Sequence, residues 1–248
     1  MKRWLFLLLF FPYRTSAQDV AALLSRGAQL EAAFREEEAL PVYQQVVLAA
    51  PHHLIALCHC SDLSCRIGNR QQDRERKIAF FRAGYGYAQR AYRLDSTNAE
   101  VNIVMAFSLA RMALIQSGRE KVAAANAIKW YAEQAIRYDP SNYKAYHILG
   151  RWHYEVSNLS FIERTLARWF FGAIPEASLD EAIRNYEKSR ALRPDFMLNY
   201  LELAKAWRRK GQKAKAIALL VRLDSLHDAM YDDRTVRKEG RQLLAELR

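Results

Sequence analysis

The chain has 248 residues, of which 51% are hydrophobic and 12% aromatic, and a formal net charge of +11. That length can bury a substantial core, and that apolar content excludes disorder as the general state. Gly and Pro are few and no run of alternating β-branched residues appears, so an all-α fold is predicted and strands are not expected.

In chain order, residues 1–17 read as a secretory signal peptide. Lys2 and Arg3 form a positive start, Trp4 to Phe11 an apolar core, and Thr15-Ser16-Ala17 a small-residue cleavage site before Gln18. Eight apolar residues are too few to cross a bilayer, which takes about 20. The alternative is a short N-terminal anchor, and no Cys stands nearby to carry a lipid. Losing Lys2, Arg3 and Arg14 lowers the net charge from +11 to +8. A chain that stays basic suits acidic peptides or anionic lipid surfaces, and export argues against nucleic acid as a partner.

From residue 20 the chain carries the tetratricopeptide (TPR) skeleton five times, followed by a cap, giving a helical repeat domain over 18–248. Repeat one (about 20–53) reads Leu23-x2-Arg26-Gly27-x2-Leu30, Ala39-x3-Tyr43 and Pro51, with the standard 12 positions from Gly27 to Ala39. Repeat two (54–98) reads Leu57-x2-Cys60-Ser61, Gly84-x3-Ala88 and Leu94-Asp95-Ser96, with 11 residues added around the polar run Gly68 to Lys77. That run, with Arg70, Arg74, Arg76 and Lys77, reads as a solvated loop or helix face. Its three cysteines, Cys58, Cys60 and Cys65, match neither a disulfide framework nor a zinc site and read as small buried hydrophobes. His52, His53 and His59 nearby keep metal binding open at this point.

Repeat three (99–142) has Met105-Ala106, Ile128-x3-Ala132 and Tyr138-Asp139-Pro140, with 10 extra residues around a break at Gln116-Ser117-Gly118, so its first helix is predicted to be long. Repeat four (143–196) reads Tyr146-x2-Leu149-Gly150-x2-His153, Ala182-x3-Tyr186 and Pro194. It is split by an aromatic insert from Leu159 to Pro175 that has room for about one more helix. Repeat five (197–230) has Tyr200-x2-Leu203-Ala204-x2-Trp207, Gly211 and Ala216-x3-Leu220. A cap at 232–247 lines up Val236, Leu243, Leu244 and Leu247. Small residues let the two helices of a hairpin approach, and Pro ends the second because it lacks an amide donor. No phosphate loop, H-E-x-x-H or G-x-S-x-G is present, and His147 and His153 lie on different helical faces. No enzyme activity, catalytic residue, cofactor or metal is predicted.

Leu149-Gly150-Arg151-Trp152-His153-Tyr154, Asn158-Leu159-Ser160, Glu163-Arg164, Phe171-Gly172-x2-Pro175-Glu176-Ala177-Ser178 and Pro194-x4-Asn199 resemble the regulator of microtubule dynamics protein family. These are TPR-like proteins whose eukaryotic members are associated with microtubules and organelle membranes. The resemblance is specific in repeat four, generically TPR elsewhere, and covers most of the mature chain. It implies an all-α TPR-like solenoid that acts by binding. The apparent signal peptide departs from the organelle-anchored members and looks like a bacterial exported form. The expected location is the periplasm of a Gram-negative bacterium, where tubulin is not an expected partner.

Carried over from TPR geometry, positions 2, 5, 9, 12 and 13 of each first helix line a concave groove. The resemblance thereby places Arg66, Arg111, Lys144, His147, Arg151, Tyr154, Lys205, Arg208 and Arg209 there, against fewer acids: Glu31, Asp62, Glu100 and Glu155. Arg can grip a carboxylate through paired hydrogen bonds, so the expected ligand is an acidic peptide or protein segment. The Asn pattern of carboxylate-clamp TPRs is missing, so that particular ligand is not predicted. Alternatives are a phospholipid or other amphiphile held between groove and insert, a scaffold with no groove ligand, and cations paired with acids inside the solenoid. In the insert, Ile162, Leu166, Trp169 and Phe170, with Phe161, form one apolar helix face. That face is expected to pack on the solenoid and partly close the groove, or to cover a ligand or meet a membrane surface beside Arg164 and Arg168.

Overall fold

Short polar side chains start many of the helices. His53, Asp73, Asn98, Asn142 and Ser178 each accept an amide hydrogen bond from the first turn that follows them, which satisfies donors that a helix cannot satisfy internally. Two inter-repeat turns share one device. Asp95 accepts from the backbone and hydroxyl of Thr97, and Asp139 does the same with Ser141. Asn98 and Asn142 then cap the next helix, so the chain reverses within a few residues.

The computed structural model describes residues 17–160, 165, 169 and 175–248. Residues 1–16, read above as the signal sequence, and most of the insert lie outside the described residues. Among those described there are eleven helices and no strands. They are α1 (Ala17–Ala32), α2 (Glu36–Ala49), α3 (Leu54–Arg70), α4 (Arg74–Leu94), α5 (Ala99–Met112) and α6 (Gly118–Tyr138). The others are α7 (Tyr143–Ser157), α8 (Leu179–Leu192), α9 (Met197–Arg209), α10 (Lys213–Asp224) and α11 (Asp233–Leu247). No described helix is long and apolar enough to cross a membrane.

Consecutive helices pair as hairpins, and each second helix also packs on the first helix of the next hairpin. The first helices α3, α5, α7 and α9 additionally touch in series, so they form one inner wall. The fold is therefore an all-α TPR-like solenoid closed by α11. Its hairpins interlock through glycine. A Cβ on Gly27 would stand 2.6 Å from the Tyr43 ring, and one on Gly150 would stand 2.8 Å from that of Tyr186. Both rings are buried, so each glycine is the space its tyrosine fills. Cys65 packs in the same way against Gly84. All three cysteines are free and buried, and burial pushes each thiol up to about 12.

Helix lengths correct one expectation. In repeat three the surplus lies in the second helix: α5 has 14 residues and α6 has 21. The cause is local, because Gly118 takes φ +55°, a left-handed conformation that suits glycine, and a new helix begins there. The polar run in repeat two is mostly helical as well, since α3 continues to Arg70 and α4 starts at Arg74.

The two larger of three core clusters meet at α7; the third is small and comprises Ile103, Ala135 and Ala145. Leu57, Leu63, Val101 and Trp152 belong to the first, and the Trp152 indole donates to the Ala125 carbonyl at 2.7 Å. Tyr186, Leu201, Leu203 and Leu223 belong to the second, with Tyr154 packed against it.

Candidate ligand groove

The inner wall is charged along its length, and the acids are as important as the cations. At the N-terminal end, Arg66 and Arg70 lie one turn apart on α3 and converge on Glu36, the first residue of α2. Glu36 is 2% exposed. It pairs with Arg66 and, at 2.8 Å, with Arg70. Burial nevertheless pushes the Glu36 carboxyl above its usual range, against the pull of both guanidinium groups. Arg66 also reaches Asp62 at 3.4 Å, and Arg70 reaches Glu37 at 3.2 Å.

A further carboxylate arrives from far along the chain. Asp232, in the segment before α11, accepts from Arg70 at 3.4 Å through both its oxygens, across 162 residues of sequence. The adjacent Tyr231 ring lies 4.1 Å from the same guanidinium. The superhelix thus curls until its C-terminal segment touches the basic end of the inner wall.

Mid-groove, Lys144 pairs with Glu100 at 2.6 Å and ties α7 to α5. Opposing burial, Glu100 and Asp62 raise the Lys144 amine above its ordinary value. Arg111 differs. It donates to the Asn69 side chain at 3.2 Å and lies 4.8 Å from the Phe107 ring, but it forms no ion pair with any described carboxylate. Its Nε lacks a hydrogen-bond partner. Burial and the nearby Arg151 lower its pKa.

At the C-terminal end, Glu202 of α9 is 4% exposed. It pairs with Lys205 at 3.0 Å and only loosely with Arg151, at 3.8 Å. Arg151 has a second distant acid, Glu155, at 3.7 Å. Lys205 continues to Glu239 of α11 at 2.8 Å, and Arg208 pairs with Glu246 at 3.1 Å.

Three of the expected groove residues do structural work. His147 is buried; its Nδ1 lies 3.0 Å from the Asn199 side-chain oxygen, and its ring packs on Phe196. Burial lowers its pKa to about 4, so it is neutral near pH 7. Position 5 of the first helix is buried in repeats two to five, as Cys58, Ile103, His147 and Leu201, so this position faces the core rather than a ligand. Arg209 donates to the carbonyls of Tyr154 and Ser157 at 3.0 and 2.7 Å and caps the end of α7. Its guanidinium lies 5.3 Å from the Tyr154 ring, which occupies that side chain. Of the insert, Trp169 is helical and 79% exposed. Phe161, Ile162, Leu166 and Phe170 lie outside the described residues, and so does the expected closure of the groove by that face.

Glu36, Arg70 and Asp232 were not singled out by repeat position. Arg70 could have been found, since it follows Arg66 by four residues and shares its helix face once α3 is extended. Asp232 carries no such signal.

The sequence profile of the regulator of microtubule dynamics protein 1-3 family matches residues 23–248. The chain belongs to that family. Regulator of microtubule dynamics protein 3 of Xenopus laevis is 29% identical over 164 residues, covering 66% of this chain and 35% of that protein. Protein 1 of Mus musculus is 25% identical over 180 residues, covering 72% and 59%. The chain therefore matches less than two thirds of the length of these relatives. Among solved structures, a thermophilic TPR protein of Thermus thermophilus superposes with a TM-score of 0.68 at 13% identity, over 90% of this chain and 99% of that one. At that identity the likeness concerns the TPR fold alone.

Proposed function

We propose that the protein is a non-enzymatic TPR scaffold that binds an acidic peptide or protein segment along its inner wall, with Arg111 and Arg151 as the main contacts. The observation that carries this reading is Arg111: a part-buried guanidinium whose Nε lacks a hydrogen-bond partner and which pairs with no described carboxylate, close enough to feel the charge of Arg151, whose own acids stand 3.7 and 3.8 Å away. The charge of Arg151 helps to lower the Arg111 pKa, and a bound carboxylate relieves that repulsion while accepting paired hydrogen bonds. Arg66, Lys144, Lys205 and Arg208 are each satisfied by acids of the chain and shape the wall rather than await a ligand.

Titration with a fluorescein-labelled deca-glutamate peptide tests this. Arg111→Ala/Arg151→Ala should weaken binding by about tenfold or more, whereas Arg74→Ala/Arg76→Ala, which removes the same charge from outside the inner wall, should change it little. Equal losses for the two variants would reduce the effect to net charge and sink the groove assignment. We further propose that residues 1–17 export the chain to the periplasm of a Gram-negative host. N-terminal sequencing of the secreted protein should then begin at or near Gln18, and an intact Met1 would refute it.

A further inference from the structure

One carboxylate at the basic end of the groove, Asp232, comes from the far end of the chain, and the way its segment is held suggests what that end is for. Asp233 is the anchor. It is 3% exposed, and one of its oxygens accepts from the backbone amides of Ala229 and Met230 at 2.7 and 2.8 Å. Arg237 adds a second hold by donating to the Leu226 carbonyl at 2.8 Å and to Asp228 at 2.5 Å. A cavity of only about 10 Å³ remains where Met230 and Asp233 meet Tyr143, Phe196 and Met197, so the base of the segment is tightly seated.

Tyr231 and Asp232 take no part in that seating with their side chains. Each is 40% exposed, and both converge on Arg70. Arg70 already has Glu36 and Glu37, so it does not depend on them. Contacts of this kind, a part-exposed ion pair at 3.4 Å and a ring beside a guanidinium, are individually weak. They can part without disturbing the Asp233 anchor. What they display is a two-point recognition pattern: a planar guanidinium that stacks on a ring while bonding the neighbouring carboxylate.

We propose that Arg70, at the N-terminal end of the groove, is a docking site for a partner segment carrying an aromatic residue next to an acidic one, and that Tyr231 and Asp232 occupy it as an internal stand-in. This rests on the acidic-segment reading of the groove and adds the ligand's pattern and a competitor for it. Charge complementarity and the seated segment itself identify the occupant. A purely acidic segment satisfies the cation but leaves the stacking surface of Arg70 empty, so it should compete less well here.

The test uses the full chain and a blocked peptide with the sequence of residues 226–233. Tyr231→Ala/Asp232→Ala should bind this peptide about five- to tenfold more tightly than the wild type. The gain should vanish when the peptide's own Tyr-Asp pair is replaced by Ala-Ala, or when Arg70→Ala is added to the protein. Both substituted positions are part-exposed, and Tyr231→Phe/Asp232→Asn, which keeps their shape, should show a smaller gain with an unchanged melting curve. Equal affinity of wild type and double variant, with deca-glutamate binding still dependent on Arg111 and Arg151, would overturn the stand-in and leave the groove reading intact. Binding of neither peptide would remove both.

Discussion

Glu36 and Glu202 are both buried in the wall of the groove, at opposite ends, and they are held in different ways. Glu36 opens α2, where the exposed amides of the first turn favour a negative charge, and two arginines of α3 close on it. Glu202 sits in the middle of α9 without that help. It keeps one close partner, Lys205, and a distant one, Arg151. The N-terminal end is thus a network centred on Glu36, with Asp232 one of its loosely held acids. The C-terminal end leaves Arg151 with two distant acids, and Arg111 between them bonds Asn69 but pairs with no described carboxylate. Under the two proposals above, a partner reaches the paired end only by displacing the weakly held Asp232, whereas the loosely paired end needs no such displacement.

That contrast is open to measurement. Glu36→Ala should be the costliest change, at about 4 kcal/mol in urea unfolding, because it removes the buried acid on which two guanidinium groups converge and leaves them only the looser Asp62, Glu37 and Asp232. Next comes His147, packed beneath the C-terminal end. Its folded pKa of about 4 lies below the unfolded value near 6.5. The unfolded chain therefore binds the extra proton between those values. Stability should fall by about 3 kcal/mol as the pH drops from 6.5 to 4, and be fully present above 6.5. Unfolding curves across that range should flatten in His147→Gln; an unchanged slope would assign the pH response to other groups. Glu202→Ala should cost about 1–2 kcal/mol, since Lys205 retains Glu239 and Arg151 retains Glu155. A cost equal to that of Glu36→Ala would erase the distinction between the two ends. Smallest is Arg208→Ala, which breaks a solvent-exposed pair with Glu246 and should stay within about 0.5 kcal/mol.

The fold was legible because its signals are local. Gly27 with Tyr43 and Gly150 with Tyr186 encode the approach of two helices, and Pro51, Pro140 and Pro194 mark where the chain turns. The division of extra length in repeat three was less legible, because it depends on which residue adopts a positive φ, and Gly118 does. The site was harder. A repeat position says which side of a helix a residue occupies, but whether His147 meets solvent depends on Phe196 and Asn199 of the next hairpin. Pairing of Arg70 with Asp232 depends on the accumulated curvature of the whole superhelix, which no short pattern records.

One consequence of the two cores concerns motion. Trp152 on α7 serves the first core and Tyr154, two residues on, leans on the second, so α7 is shared between the two larger packed bodies of the solenoid. The Arg70–Asp232 contact bridges those bodies like a strap. A change in the angle at α7 would have to stretch or slacken that strap, so the curvature of the solenoid and the Arg70–Asp232 contact are geometrically linked. A partner that displaces the strap would be registered as a change of shape at both ends of the molecule.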